Sequence, residues 1–190
     1  MRTRGALLAL ATILGLAFAA QAHAQATPYE LNVHVGALSL EDADDTDLMV
    51  GARIMLQYPS GWGWGGNIDW VALDEFGGPG GEDVDLNLYL YSFEIDYTFS
   101  PGSQLRPFVG GGIGAATFKL SDAPEGVEDS DTEVLVPLAG GVKWFDQPTN
   151  PSWAIRGEVR DNIIFNESDG DGDDGASNNW EFSGGVSFFF

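Results

Sequence analysis

The last eleven residues of the chain, 180–190, place an apolar residue or Gly at every second position, from Trp180 to Phe190. The residues between them are mostly small or polar, such as Glu181 and Ser187. A period of two gives a β-strand with one apolar and one polar face. Because a soluble chain rarely ends on three consecutive phenylalanines, the segment favours a strand that faces lipid. The alternative is a final strand packed on a soluble core.

Residues 1–24 have the pattern of a secretory signal peptide. A cationic start is followed by an apolar run at 6–20 and a small-x-small cleavage site at 22–24. We expect cleavage after Ala24 and one mature domain at 25–190. The alternative, a membrane-anchoring helix, would need a longer apolar run. The sequence contains no cysteine, so no disulfide supports the exported domain.

The mature chain is strongly acidic. Loss of Arg2 and Arg4 with the signal peptide takes the eight cations to six, against 29 acids, a net charge near −23. So few cations cannot form the basic patch that nucleic-acid binding requires. The composition therefore predicts no nucleic-acid partner.

Acidic loops and short turns alternate along the chain. The acids gather in four clusters, at 41–47, 74–85, 122–133 and 167–174. Three turns with few charges lie between them, at 59–61, 100–103 and 147–151. Seven connections predict eight strands, at 29–39, 48–58, 63–73, 86–99, 106–118, 134–145, 153–165 and 179–190. Since connections of an up-and-down meander alternate between its ends, all acidic loops emerge at one end, as in a transmembrane barrel.

The aromatic residues indicate that the apolar strand faces meet lipid. Near the short turns or the terminus lie Tyr58, Trp62, Trp64, Tyr97, Phe99, Trp144, Phe145, Trp153 and Phe190. Near the acidic loops lie Tyr89, Tyr91, Phe118, Phe165 and Trp180. Two such girdles are expected at the two membrane interfaces. A soluble barrel with an apolar cavity, the alternative, has no need to sort its aromatics by height.

Charged residues of the strands fall on the opposite, inward parity. A cation that faces the middle of a bilayer costs roughly 2–4 kcal/mol, and an unpaired buried charge costs several. We therefore expect a closed lumen in which Arg156 and Arg160 reach Asp69 and Glu94. The predicted network comprises Arg53, Asp69, Glu94, Asp96, Lys143, Arg156, Glu158 and Arg160. The alternative is that these charges contact lumenal water one by one.

Three details of parity stay open in the sequence. The fifth strand is so rich in Gly that either parity could face outward. In the fourth strand Leu86 and Leu88 have the parity opposite to Tyr91, which a bulge near Leu90 would reconcile. Asp161 interrupts the apolar face of the seventh strand.

The signal peptide, the segment Arg-Pro-Phe-Val-Gly-Gly-Gly-Ile-Gly at 106–114 and the Phe-ended last strand carry a family resemblance. The chain resembles the small outer-membrane β-barrels of Gram-negative bacteria, the family of the OmpA transmembrane domain, OmpX and OmpW. The resemblance implies an all-β, eight-stranded antiparallel barrel, monomeric and surrounded by outer-membrane lipid and lipopolysaccharide. It also implies that the barrel-assembly machinery recognises the last strand through Phe182, Val186, Phe188 and Phe190.

Candidate sites are few. Asp169, Asp171 and Asp173 resemble half of a calcium loop, but Asp174 and Trp180 stand where an EF-hand has Gly and Glu. The expectation is weak Ca²⁺ binding or a solvated acidic loop, with no other cofactor. The lone mature histidine, His34, lacks a Ser-centred motif, so we expect no enzyme.

Two functional classes remain at this point. One is a structural or surface-interaction barrel with a closed charged lumen and acidic extracellular loops. The other is an OmpW-like channel for small hydrophobic molecules, which would need an apolar lumen.

Overall fold

The chain folds into a closed antiparallel barrel whose strands neighbour one another in chain order. The computed structural model describes residues 29–41, 46–77, 83–120, 130–165 and 175–190. The strands are β1 (Tyr29–Ser39), β2 (Thr46–Gln57), β3 (Trp62–Gly77), β4 (Asp83–Thr98), β5 (Leu105–Leu120), β6 (Ser130–Phe145), β7 (Trp153–Phe165) and β8 (Ala176–Phe189). The predicted eight-stranded up-and-down barrel is confirmed. The predicted signal peptide, 1–24, lies outside the described residues.

The four acidic connections leave one end of the barrel, called here the loop end, and the three short ones leave the other, the turn end. Gly61 and Gly102 allow tight reversals at the turn end, since both have positive φ, 95° and 97°. In the β2–β3 turn the Tyr58 amide donates to the Trp62 carbonyl at 2.8 Å. Among the described residues no helix is long and apolar enough to cross a membrane.

Pairing of the first and last strands closes the barrel. The register runs from Glu30 opposite Phe189 to Ser39 opposite Trp180. Beyond it the Phe190 amide donates to the Tyr29 carbonyl at 3.1 Å, and the two rings stack with centroids 6.0 Å apart. Closure pairs both edges of the sheet, so no open edge runs through the barrel wall.

The strands differ in length at the loop end. Each of β3, β4, β5 and β6 has 16 residues, whereas β1 has 11 and β2 has 12. On β3, the residues that pair with β2 run from Gly63 to Val71, whereas the residues that pair with β4 extend to Gly77. The rim at the loop end is therefore uneven, with β3 to β6 rising above β1 and β2.

The structure settles the parity of β5 and the position of Asp161. On β5, Phe108 and Ala116 are buried while Val109 and Ile113 are exposed, so even-numbered residues face inward. Asp161 lies on the outer parity of β7, opposite Trp180 at the loop end. Its carboxyl group therefore interrupts the apolar outer face near one rim of the barrel.

The predicted bulge near Leu90 is wrong. Leu88 and Leu90 are buried, Tyr89 and Tyr91 are exposed, and the register between β4 and β5 is unbroken. Simple alternation holds because the barrel interior is itself apolar at this height. The register shift lies instead in β3, between Leu73 and Phe76.

Most of the predicted girdle residues lie on the outer surface, but two do not. Phe145 is 3% exposed, and Phe118 packs against the internal apolar cluster. Their height agrees with the prediction, but their parity turns both rings into the lumen. Height alone therefore does not place an aromatic residue on the lipid face.

Candidate functional site: the barrel lumen

An aromatic pair covers the lumen at the turn end. The rings of Phe145 and Phe189 lie 5.4 Å apart between centroids, and the Arg106 guanidinium lies 3.9 Å above the Phe145 ring. Arg106 also donates to the backbone carbonyls of Ser103 and Pro148, at 2.7 and 2.6 Å. These contacts fix a cation and two rings across the end of the barrel.

Glu30 organises the first charged layer above this pair. It is fully buried and accepts hydrogen bonds from Lys143 Nζ at 2.7 Å and Ser187 Oγ at 2.6 Å. Lys143 Nζ lies 3.4 Å from a carboxylate oxygen of Asp96. The Arg156 guanidinium lies 3.8 Å above the Phe108 ring, a cation–π contact between two buried side chains.

Glu158 is the centre of the second charged layer. Arg53 donates to it through two nitrogens, at 3.0 and 2.9 Å, and Arg156 Nε donates at 2.8 Å. Arg160 donates to Glu158 at 3.0 and 2.7 Å and to Glu94 at 2.6 and 3.2 Å. Bidentate bonds of this kind are the strongest carboxylate contacts that arginine makes.

A third polar layer follows toward the loop end. Asp69 accepts from His34 Nε2 at 2.7 Å and from Asn67 Nδ2. The expected pairing of Asp69 with Arg156 or Arg160 is therefore wrong among the described residues. Asp69 lies one layer nearer the loop end than the guanidinium groups, and this depth depends on strand stagger rather than on parity.

Inward glycines make room for these long side chains. A Cβ at Gly51 would overlap Asp69 Oδ1 and His34 Nε2, and a Cβ at Gly112 would meet Glu94 Cγ at 3.0 Å. The gap beside this cluster, lined by Arg53, Arg156 and Glu158 among others, is too small to hold a water molecule.

An apolar layer fills the interior at the loop end. Its members are buried residues of seven strands: Leu38, Met49, Val71, Leu73, Leu88, Leu90, Ala116, Leu135 and Ile164. Leu40, Leu86 and Phe118 pack against it from above. The sequence-based expectations did not include this layer, although Leu86, Leu88 and Leu90 share the inward parity of Glu94.

All eight residues of the predicted network are buried in the lumen. Two central members were missed, Glu30 and Glu181, both 0% exposed. Glu30 shares the inward parity of Asn32 and His34 on β1, so the alternation contained its signal. Glu181 likewise belongs to the polar face of the last strand.

The charged side chains of the lumen are paired with one another, cation against carboxylate. Among the described residues no group of three His, Asp or Glu side chains could hold a metal ion. The predicted calcium ligands Asp169, Asp171 and Asp173 lie outside those residues.

Comparison with known proteins agrees with this architecture. Residues 8–190 match the family model described as outer membrane protein beta-barrel domain. The chain belongs to this family, and its location is the bacterial outer membrane. No curated protein matches the sequence.

Three solved structures illustrate the shared fold. Neisserial surface protein A has a TM-score of 0.63 and 14% identity, covering 86% of this chain and 98% of that one. The N-terminal barrel of Pseudomonas aeruginosa OprF has a TM-score of 0.53 and 15% identity, with coverage of 87% and 100%. Yersinia pestis Ail, solved with the heparin analogue sucrose octasulfate, has a TM-score of 0.50 and 16% identity, with coverage of 84% and 99%. At such identities the likeness shows the fold alone.

Proposed function

We propose that this chain is a closed outer-membrane barrel that presents acidic loops at the cell surface, and that it does not act as a pore. The observation that carries the proposal is the position of Glu158, which binds Arg53, Arg156 and Arg160 across the lumen. An eight-stranded barrel is narrow enough for side chains to fill. The apolar layer above Glu158 and the Phe145–Phe189 pair below it support closure.

The acidic connections are the chemically distinctive part of the proposed surface. Most of the 29 acids of the sequence lie in the four clusters at the loop end. Such a surface attracts cations and basic partners and repels anions. In this proposal the barrel is a monomeric anchor in lipid and lipopolysaccharide, and the loops make the contacts.

Weak Ca²⁺ binding by Asp169, Asp171 and Asp173 stays a prediction from the sequence. Titration calorimetry of the refolded protein with Ca²⁺ tests it, with the triple Asp-to-Asn variant as the control. Equal heats from both proteins would leave the loop as a general acidic surface.

The proposal gives the chain no catalytic step. His34, the histidine considered for general-base chemistry, is 5% exposed and has both ring nitrogens engaged by Asn32 and Asp69. Replacing His34 with Ala should leave the acyl chains of lipid A unchanged in mass spectrometry. A changed acyl pattern would contradict the proposal that the chain has no catalytic step.

Planar-bilayer recording tests closure directly. The purified protein should show no stable large conductance under conditions in which a general porin, as the positive control, gives regular steps. Stable large conductance would overturn the proposal.

A second candidate is a channel for small hydrophobic molecules, and the apolar layer at the loop end favours it. The charged layers below that layer oppose passage through the lumen. Uptake of a hydrophobic fluorophore by intact cells with and without the protein separates the candidates. Equal uptake supports the closed barrel, and faster uptake that Leu90→Glu abolishes supports the channel.

A further inference from the structure

The buried charges of the lumen do not balance when each group has its usual state at neutral pH. Among the described residues, the buried carboxylates are Glu30, Asp69, Glu94, Asp96, Glu158 and Glu181. The buried Lys and Arg side chains of the same part of the chain are Arg53, Lys143, Arg156 and Arg160. Six negative charges against four positive ones leave a deficit of two in a medium that penalises net charge.

The directions of the hydrogen bonds around His34 indicate how many protons its ring carries. The Glu30 carboxylate, held by Lys143, can only accept, so Ser187 Oγ donates to it at 2.6 Å. Ser187 Oγ then accepts from Asn32 Nδ2 at 3.1 Å, which fixes the orientation of the Asn32 amide. The amide oxygen of Asn32 therefore faces His34 Nδ1, at 2.9 Å.

The other ring nitrogen of His34 faces an acceptor as well. Nε2 lies 2.7 Å from Asp69 Oδ1, while Asp69 Oδ2 accepts from Asn67. An imidazole whose two nitrogens both lie on oxygen acceptors keeps both bonds when both nitrogens carry a proton. The His34–Asp69 pair then has no net charge, and the His34 imidazolium supplies one of the two missing positive charges.

Glu181 is the carboxylate that lacks a cation of its own. Its Oε2 accepts from Asn162 Nδ2 at 3.1 Å and lies 3.7 Å from Arg160 Nε. Arg160 directs its hydrogen bonds to Glu94 and Glu158 instead. Within the described part of the chain, Glu181 Oε1 is buried and has no hydrogen-bond partner.

We propose that the lumen binds two protons, one on the His34 ring and one on Glu181, and that these protons make its interior neutral. Five cations, the four Lys and Arg groups plus the His34 imidazolium, then face five carboxylates. The charged groups that face His34 or Glu181 lie on β2, β3 and β7: Arg53, Asp69, Arg156, Glu158 and Arg160.

The inference goes beyond the proposed function, which does not depend on the number of protons in the lumen.

Two spectroscopic measurements at neutral pH test the two protons separately. His34 is the single histidine outside residues 1–24, so ¹⁵N-histidine labelling reports on it directly. Long-range ¹H–¹⁵N spectra should show both ring nitrogens protonated. The infrared spectrum of the protein in lipid should contain a protonated carboxyl band that Glu181→Gln removes, whereas the matched variant Glu158→Gln should remove carboxylate bands alone.

A His34 ring with one bare nitrogen, or loss of a carboxylate band in Glu181→Gln, would overturn the proposal. Neither result depends on conductance, so the proposal and the closed-barrel function can fail independently.

Discussion

Arg53 and Glu158 lie on β2 and β7, three strands apart around the barrel, and meet in two parallel N–H···O bonds of 3.0 and 2.9 Å. The two residues are 2% and 6% exposed, respectively. A fork-to-fork contact of this kind bridges the lumen and fixes the separation of two walls.

Removal of the Glu158 carboxylate should be strongly destabilising. Glu158→Ala would leave Arg53, Arg156 and Arg160 without their shared acceptor, and loss of one partner of a buried ion pair costs roughly 3–5 kcal/mol. Urea unfolding in lipid vesicles, followed by tryptophan fluorescence, measures the change. Asp131→Asn, at an exposed position of β6, is the control and should unfold as the parent does. An unchanged midpoint for Glu158→Ala would contradict the central role of this carboxylate.

Two Gly-to-Ala variants should have opposite effects. At Gly51 a Cβ would overlap the Asp69 and His34 side chains, so Gly51→Ala should destabilise by roughly 1–3 kcal/mol, the usual range for overpacking. At Gly157 nothing lies within 4 Å of the position that a Cβ would occupy, so Gly157→Ala should be neutral or slightly stabilising. The unfolding midpoints of both variants test the packing of the lumen. Equal midpoints would show that Asp69 and His34 can move aside.

A cation introduced on the lipid face should destabilise the barrel by an amount that depends on its depth in the bilayer. Ile113 is 63% exposed on the outer face of β5, and Ile113→Lys should cost roughly 2–4 kcal/mol if this position lies near the bilayer midplane. Thr132→Lys, near the loop end of β6, should cost about 0–1 kcal/mol. The folded fraction in vesicles at increasing urea, read by gel mobility without heating, distinguishes them. Equal tolerance would place the bilayer elsewhere on the barrel.

Loss of the terminal ring should impair assembly more than stability. Phe190 stacks on Tyr29 at the rim, and the family resemblance assigns it to recognition by the assembly machinery. We expect Phe190→Ala to lower the amount in the outer membrane while refolding in vesicles stays near the parent level. Phe165→Ala, an exposed aromatic at the opposite end, is the control. Equal amounts of Phe190→Ala and parent in the membrane would show that the terminal ring is not part of the assembly signature.

The sequence was sufficient to predict the eight strands and the facing of most of their residues, although it left the parity of β5 open. Alternation places Ile95 outward and Glu94 inward without any knowledge of neighbours, because a strand has a strict period of two. The alternation of acidic loops and short turns then orders the strands, since a meander can connect them in one way. The bulge expected near Leu90 is absent because the interior changes from charged to apolar along the barrel axis, and alternation does not report that change.

The sequence did not indicate which inward side chains lie at the same height along the barrel axis. Phe145 and Phe118 lie at the heights of the girdles but face inward, and proximity of an aromatic to a turn does not separate the two cases. The partners of Asp69 depend on the stagger between strands that are far apart in the chain. Parity therefore identified which residues are inside the lumen, and the closed structure was needed to show which of them meet.

Several lumenal contacts span the junction between β1 and β8. Asn32 donates to Ser187, and Ser187 donates to Glu30, from opposite sides of that junction. Since β8 is the last strand of the sequence, these bonds cannot form before the sheet has curled through its full circle. The charged layers of the lumen are therefore complete only when the first and last strands pair, and these bonds stabilise the closed barrel alone, not an open sheet of the same strands.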